Sequence, residues 1–275
     1  MLQFQVDENR CVLCGLCATD CPVKVIDLKT GVPRISAEKE MSCIKCQHCL
    51  AICPHAALSI LGRDPEESVT LAHNYPAPNN LEVLMKGRRS VRQYQDENLE
   101  AGLIERLLGV ARHAPTGINM DGVQFTVIDN KEKLHTFREE TYASLASLVE
   151  ANQLPQERAM YASFVKLWQE KGIDVLFRNA PHLVVTSAPK KCSTPEVDSI
   201  IALTYFELFA QSMGVGTLWD GLLEWAIDEL VPDLKLSLGV PEDHLFGYVM
   251  IFGKPAIEYK RTIAKGPANV VTFSG

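Results

Sequence analysis

Eight of the nine cysteines in this 275-residue chain lie between residues 11 and 53, and their spacing limits the chemistry they can perform. They form two copies of the pattern Cys-x2-Cys-x2-Cys-x3-Cys-Pro, one beginning at Cys11 and the other at Cys43. Thiolates bind soft transition metals. Disulfides would need an oxidising compartment, and nothing in the sequence suggests export. The spacing therefore predicts metal centres rather than a disulfide framework.

The pattern also specifies the kind of metal centre. Three thiolates at x2 spacing can surround one corner of a cubane, and the fourth, which precedes proline, reaches the other cluster. We therefore predict two 4Fe–4S clusters with crossed ligands. The first set is Cys11, Cys14, Cys17 and Cys53, and the second set is Cys43, Cys46, Cys49 and Cys21. Two structural zinc sites are one alternative, but zinc leaves the x3-Cys-Pro portion unexplained. Loss of one cluster is the other, and the complete set of eight cysteines argues against it.

Residues 1–61 thus resemble a bacterial two-cluster ferredoxin. The internal repeat implies two copies of one small unit packed about a pseudo-two-fold axis. Residues 62–80 hold three prolines, three asparagines and a cluster of charges without periodicity, which is typical of a linker. Residues 81–275 then form the second predicted domain.

The overall charge excludes some classes of partner. Lys and Arg number 27 against 34 Asp and Glu, for a net charge of −7, which is not a nucleic-acid-binding balance. No apolar run approaches the ~20 residues of a membrane span. The first residues show no basic region followed by an apolar one. We expect a cytoplasmic protein with neither a nucleic-acid nor a membrane partner.

Periodicity in the second domain indicates helices with a few strands. The predicted helices are 81–87, 98–113, 131–150, 155–171, 195–213 and 222–238, with a break at Pro232 in the last. The predicted strands are 123–129, 182–188 and 245–252. The expected fold class is therefore α+β: a small ferredoxin-like domain followed by a domain with a central sheet flanked by helices.

Three segments of this domain could bind a ligand. Residues 86–94 carry four cations and a hydroxyl, which suit a phosphate, although a solvated basic surface would look the same. Residues 114–119 form a small polar turn. Residues 213–221 are predicted to be a glycine-rich turn after a helix, and a Gly-x-Gly there is weak as a nucleotide motif.

In order, however, the motifs RRSVRxY, APTGxN, GxGTxWxG and GKPxxxYKR resemble those of the FMN-dependent nitroreductase family over roughly residues 80–275. The resemblance implies that FMN is bound by the matching positions. These are Arg88, Arg89, Ser90 and Arg92 in the first segment, Pro115, Thr116, Gly117 and Asn119 in the second, Leu218, Trp219, Asp220 and Gly221 in the third, and Lys260 and Arg261 near the end. It also implies an intertwined homodimer in which the second segment reaches the partner subunit's FMN.

Together the two resemblances imply an iron–sulfur flavoprotein oxidoreductase. Clusters carry single electrons whereas FMN takes one or two, so the flavin would reduce a small organic acceptor such as a nitroaromatic, a quinone or an activated alkene. Electrons would arrive from an external ferredoxin or another redox donor through the clusters. In the alternative, NAD(P)H is a co-substrate at FMN and the clusters are the outlet. A non-catalytic electron carrier or redox sensor is the other alternative.

Several residues stay without an assigned role. No side chain stands out as a general acid, so no catalytic residue is predicted. Asp220 replaces the Glu or Gly of many relatives. Tyr161, Phe164 and Trp168 have helical spacing and could cover the flavin, but such a stripe is more often core or dimer interface. Cys192 matches no motif and is interpreted as incidental.

Overall fold

The computed structural model describes every residue from Met1 to Gly275 and divides the chain into two compact units. The first unit comprises Met1–Pro76 and Ile118–Met120, and the second comprises Ala77–Gly117 and Asp121–Gly275. Residues 62–76 therefore belong to the first unit. No helix in the chain is both long enough and apolar enough to cross a membrane.

The first unit is built from very short elements. Its strands are β1 (Gln5–Val6), β2 (Ile26–Asp27), β3 (Arg34–Ile35) and β4 (Leu58–Ser59), and its helices are α1 (Leu16–Asp20), α2 (Ala37–Glu40) and α3 (His48–Ala51), followed by a 3-10 turn at Pro65–Glu67. β1 pairs antiparallel with β4, and β2 pairs antiparallel with β3. The small core includes the side chains of Cys17, Cys21 and Cys49, so the predicted cluster ligands are part of what this unit buries.

The backbone of the first unit repeats in step with its cysteines. Left-handed residues occur at matched positions 32 residues apart: Leu13 (φ 56°) and Lys45 (φ 58°), Gly15 (φ 74°) and Gln47 (φ 60°), and Lys24 (φ 51°) and Ala56 (φ 47°). Positive φ is costly for residues other than glycine, so its recurrence at matched positions marks a turn that both copies require. α1 and α3 begin directly after Gly15 and Gln47, respectively. The local backbone conformation thus repeats in step with the cysteine pattern.

The second unit is an α+β domain, as predicted. Its helices are α4 (Pro78–Gly87), α5 (Ala101–Ala111), α6 (Lys131–Glu150), α7 (Met160–Lys171), α8 (Pro195–Ser212), α9 (Gly221–Trp225) and α10 (Asp233–Ser237), with a π-helical turn at Ala226–Leu230 and 3-10 turns at Gly117–Asn119 and Gln156–Arg158. Its strands are β5 (Gln124–Ile128), β6 (His182–Pro189), β7 (Gly216–Trp219) and β8 (His244–Gly253). All neighbours pair antiparallel in the order β5-β6-β8-β7.

The two faces of this sheet are covered by different helices. Alternate residues of a strand point to opposite faces. On β6, Leu183 therefore packs with α6 and α7, whereas Val184 packs with α5 and α8. On β8, Ile251 and Phe252 divide in the same way. The result is a three-layer domain whose central strands are apolar on both sides.

One sequence expectation was wrong. Residues 216–219 are not a turn but the edge strand β7, paired with β8 from Gly216↔Gly253 to Trp219↔Met250. The segment is short and contains glycine, which hid its strand character. A Cβ at Gly216 would lie 2.7 Å from the Val91 side chain, so glycine is needed there to let residues 88–94 approach the strand.

Candidate cofactor sites

Four predicted cluster ligands meet around one cavity of the first unit. Cys11, Cys14, Cys17 and Cys53 line it together with apolar side chains such as Val6, Val12, Leu16 and Leu58. Cys53 comes from the second copy of the pattern and the other three from the first. The first predicted ligand set therefore shares one cavity, and the assignment of ligands to two clusters stays a prediction. No three His, Cys, Asp or Glu side chains of the chain converge as ligands of a single metal ion do.

The cysteine sulfurs already have the surroundings that a cluster uses. The backbone N–H of Lys45 donates to Cys43 Sγ at 3.4 Å, and that of Ala57 donates to Cys53 Sγ at 3.3 Å. Burial raises the pKa of Cys17, and it raises that of Cys49 to about 11. Without iron these thiols hold their protons at neutral pH, so a cluster would have to displace them. The donor set and its enclosure fit an iron–sulfur cluster.

In the second unit, the first predicted flavin segment lies along the free edge of β7. Ser90 forms a parallel bridge with Thr217, and the N–H of Val91 donates to the Thr217 carbonyl at 2.9 Å. The other side of the segment is held by the chain that follows β8. There the N–H of Gln95 donates to the Lys254 carbonyl at 2.9 Å. The structure therefore brings the first and third predicted segments together.

Arg88 is the most firmly held cation of the first segment. Its Nη1 donates to Glu207 Oε1 at 3.0 Å, and the Glu207 side chain is only 7% exposed. Arg89 instead donates to the Lys86 carbonyl at 2.7 Å, and Arg92 donates to the Ser90 carbonyl at 3.4 Å. Sequence analysis missed Glu207. The available signal was one carboxylate inside the apolar run IIALTYFELFA of α8.

Asp220, the residue before the last of the third segment, has a buried carboxyl group. Its Oδ1 caps α9 by accepting from the N–H of Leu223 at 3.0 Å, and its Oδ2 is buried without a hydrogen-bond partner. Burial raises the pKa of Asp220 to about 7, although the nearby Arg178 guanidinium opposes the shift. At neutral pH this position therefore lies near the midpoint of its titration.

The second segment contacts a different part of α8. The N–H of Gly117 donates to Asp198 Oδ1 at 3.0 Å, and a Cβ at Gly117 would lie 2.2 Å from Ser193 Oγ. Asp198 precedes Glu207 by nine residues, or about 14 Å of helix. The segment is therefore distant from Arg88 along the helix axis. Asn119 belongs to the first unit, where its side chain donates to the Ile44 carbonyl at 3.0 Å.

The C-terminal cations approach the first segment from the other direction. Lys260 and Arg261 line a cavity together with Gly87, Val91 and Gly216. The hydroxyl of Tyr259 donates to the Ser90 carbonyl at 3.3 Å. Lys260 itself forms an ion pair with Glu258. These two cations are thus near the first segment, and both are exposed.

The aromatic stripe of α7 is core. Tyr161 is fully buried, and Phe164 and Trp168 pack against the same apolar cluster, where Trp168 stacks on Tyr142 at 4.7 Å. A nearby feature that the sequence did not suggest is the Arg158 guanidinium, which lies 4.0 Å from the Trp225 ring centroid. Cys192 is buried, and its Sγ lies beside Gly122.

Comparison with known proteins gives the family. Residues 85–254 match the model of the nitroreductase family, and residues 10–58 match that of a 4Fe-4S dicluster domain. The chain therefore belongs to the nitroreductase family and is an oxidoreductase. The resemblances stated from the motifs, to a two-cluster ferredoxin and to a nitroreductase, are confirmed.

Each of the following relatives matches only part of this chain. An uncharacterized protein of Methanocaldococcus jannaschii is 33% identical over 60 residues, which are 22% of this chain and only 21% of that protein. A protein of Methanothermobacter thermautotrophicus, provisionally named an NADH dehydrogenase/NAD(P)H nitroreductase, is 24% identical over 62% of this chain and 75% of its own length. A Bacteroides fragilis nitroreductase, solved with bound FMN, shares the fold at a TM-score of 0.56 and 24% identity, covering 70% of this chain and 100% of that one.

Proposed function

We propose that the chain is an iron–sulfur flavoprotein that passes electrons between two 4Fe–4S clusters and FMN to reduce a small organic acceptor. The observation that carries the proposal is the docking of the Arg88–Arg92 segment on Thr217 of β7, in a chain that also holds eight cysteines in cluster spacing. When bound, the clusters would carry single electrons and FMN would accept them singly or in pairs. Nitroaromatics, quinones and activated alkenes are the acceptor classes that such chemistry suits.

The eight cysteines are the proposed cluster ligands. Cys11, Cys14, Cys17 and Cys53 would hold the first cluster, which their shared cavity supports. Cys43, Cys46, Cys49 and Cys21 would hold the second, which the matched left-handed turns support. The backbone N–H groups that already point at cysteine sulfurs would also stabilise the added negative charge of a reduced cluster.

The flavin residues divide by task. Arg88 and Arg92 would bind the phosphate and the ring edge, and Ser90 the ribityl chain, while Arg89, Lys260 and Arg261 add positive charge around them. The turn from Leu218 to Gly221 would lie against the ring, with a backbone N–H presented to it. Because this arrangement is cationic, it would favour the anionic reduced form of the flavin.

We also propose a homodimer. In one protomer, Gly117 is held by Asp198, about 14 Å along α8 from the Glu207 that holds Arg88. Pro115, Thr116, Gly117 and Asn119 would therefore serve the flavin of the partner subunit. Exposed apolar side chains on α4 support this, since Val83 and Met85 are 61% and 54% exposed on a helix with no buried residue.

Anaerobic stopped-flow spectroscopy tests the proposal and identifies the electron donor. The reconstituted protein is mixed separately with NADH, NADPH and a reduced low-potential ferredoxin. We expect ferredoxin to reduce the clusters before the flavin, with a slow response to nicotinamides. Rapid flavin bleaching by NADH or NADPH would instead favour the direction that the name of the M. thermautotrophicus relative suggests, with the clusters as outlet. If the double variant R88Q/R92Q retains stoichiometric FMN, the flavin assignment is wrong.

A further inference from the structure

Glu207 lies where two of the proposed flavin segments meet. Its Oε1 accepts from Arg88 Nη1 at 3.0 Å and from the hydroxyl of Thr217 at 3.3 Å. Arg88 belongs to the first segment and Thr217 to the strand that begins the third. One carboxylate oxygen on a third element, α8, therefore ties the two segments together.

The burial of this pair is unequal. The Glu207 side chain is 7% exposed, whereas the Arg88 side chain is 30% exposed. A guanidinium has five N–H donors in a rigid fork, and the bond to Glu207 occupies one nitrogen. The remaining donors can reach a ligand at the surface. Arg88 is thus anchored at its buried side and free at its exposed side.

The anchor matters because Arg88 lies just beyond the last residue of α4. It follows α4 directly and has an extended backbone (ψ 127°), so no helix fixes its side chain. An arginine side chain loses rotamer entropy when it is ordered. If that loss is already incurred in the flavin-free protein, it does not weaken phosphate binding. Glu207 sits on the 18-residue helix α8, which supplies a fixed reference point.

We propose that Glu207 is a positioning residue that orders the Arg88 guanidinium for the flavin phosphate. The proposal rests on the proposed function, because it takes Arg88 as a phosphate ligand. A buried carboxylate beside a phosphate site would by charge alone oppose an anion. The ordering of Arg88 outweighs the repulsion between Glu207 and the phosphate, because the ion pair with Arg88 neutralises the Glu207 carboxylate.

The test compares two flavins that differ by the phosphate. FMN and riboflavin are titrated, by flavin fluorescence, into the cluster-loaded, flavin-free wild type and into E207Q, which keeps the size and an acceptor oxygen. We expect E207Q to bind FMN about tenfold more weakly, the scale of one impaired charge-assisted hydrogen bond, and to bind riboflavin as the wild type does. E196Q makes the same charge change on the exposed first turn of the same helix and should alter neither affinity.

A double-mutant cycle shows whether Glu207 acts through Arg88. In the R88Q background, E207Q should no longer weaken FMN binding, because its target is gone, and the removal of an unpaired negative charge should if anything strengthen the binding of the phosphate. The proposal is overturned if E207Q binds FMN as well as or better than the wild type, if FMN and riboflavin weaken equally, or if the effect persists in R88Q. A wild-type chain that binds no FMN would instead refute the proposed function. Retained riboflavin binding shows that E207Q is folded.

Discussion

The first unit contains no strand longer than two residues and no helix longer than five, whereas the second unit has strands of up to ten residues and helices of up to 20. The core cluster of the first unit has nine residues, of which three are predicted cluster ligands. The second unit buries two extensive apolar clusters on the two faces of one sheet.

This difference indicates how each unit depends on its cofactor. Because so small an apolar core has to offset the conformational entropy of about 80 ordered residues, we expect the first unit to need bound iron–sulfur clusters in order to fold. The second unit buries far more apolar surface, so we expect it to fold by itself, and its proposed flavin site lies at the edge of a completed sheet. Cluster binding should therefore be coupled to folding in the first unit, whereas flavin should bind to a second unit that is already folded.

The largest expected effect follows from removing the iron. After chelation under reducing conditions, the first unit should lose nearly all amide protection in α1 and α3, while the second unit keeps its protection. Hydrogen exchange with mass spectrometry, with and without clusters, measures both at once. The three tryptophans, Trp168, Trp219 and Trp225, all lie in the second unit, and their fluorescence should stay folded-like as an internal control. If α1 and α3 kept their amide protection after the iron was removed, the first unit would not depend on its clusters for folding.

The next largest effect tests the core of the second unit. Phe206 is fully buried and makes an edge-to-face contact with Phe252 at 5.2 Å. Phe206→Ala should lower the free energy of unfolding of this unit by about 3–5 kcal/mol because it leaves a cavity. Urea unfolding followed by tryptophan fluorescence measures the loss, and the visible absorbance of the clusters should persist.

Glu105→Ala serves as the control for that variant. Glu105 is exposed on α5, on the same side of the sheet, and its loss should cost no more than about 0.5 kcal/mol. If Phe206→Ala bleached the clusters before the tryptophan signal changed, the two units would not be independent in stability.

Some features of the two units could be predicted from the sequence, and others could not. The cysteine pattern predicted the repeat of the first unit because each cluster imposes its own spacing, but it gave no sign that Lys45, Gln47 and Ala56 adopt left-handed backbone. Apolar periodicity predicted the long helices and central strands of the second unit. It failed for β7, whose four residues form an edge held partly by the Ser90 segment. Glu207 was missed because its partners, Arg88 and Thr217, are distant in sequence.

A pH-dependent effect comes third, and it concerns Asp220 of the second unit. Its pKa is about 7 when folded and near the ordinary 3.8 when unfolded. Between about pH 4 and pH 7 the folded chain holds a proton that the unfolded chain has lost, so stability falls as the pH rises and levels off above 7. D220N removes this dependence and keeps a capping oxygen.

Relative to D220N, the wild type should therefore lose about 2–3 kcal/mol between pH 5 and pH 8. Urea unfolding of the flavin-free protein at several pH values, again by tryptophan fluorescence, gives the difference. Parallel curves for the two proteins would show that Asp220 titrates normally. Because all three tryptophans report the second unit alone, titration of the cysteines does not enter the signal.

The smallest expected effect compares the two halves of the first unit with each other. Leu13 and Lys45 occupy matched positions with nearly equal φ, 56° and 58°, and each lies between two cysteines of one proposed ligand set. Their side chains differ in charge, because leucine is neutral and lysine is a cation. A cation stabilises the more negative, reduced cluster, by on the order of 0.5 kcal/mol at ~7 Å in water.

Lys45→Leu should therefore lower the reduction potential of the second cluster alone, and Leu13→Lys should raise that of the first alone. Redox titration followed by electron paramagnetic resonance resolves the two clusters, and both shifts should shrink at high salt because the side chains are exposed. In the double variant Leu13→Lys/Lys45→Leu, the contribution of these two positions to the difference in reduction potential between the two clusters should change sign. If Lys45→Leu moved the first cluster instead, the ligand sets would have to be reassigned, because residue 45 lies between Cys43 and Cys46 of the proposed second set.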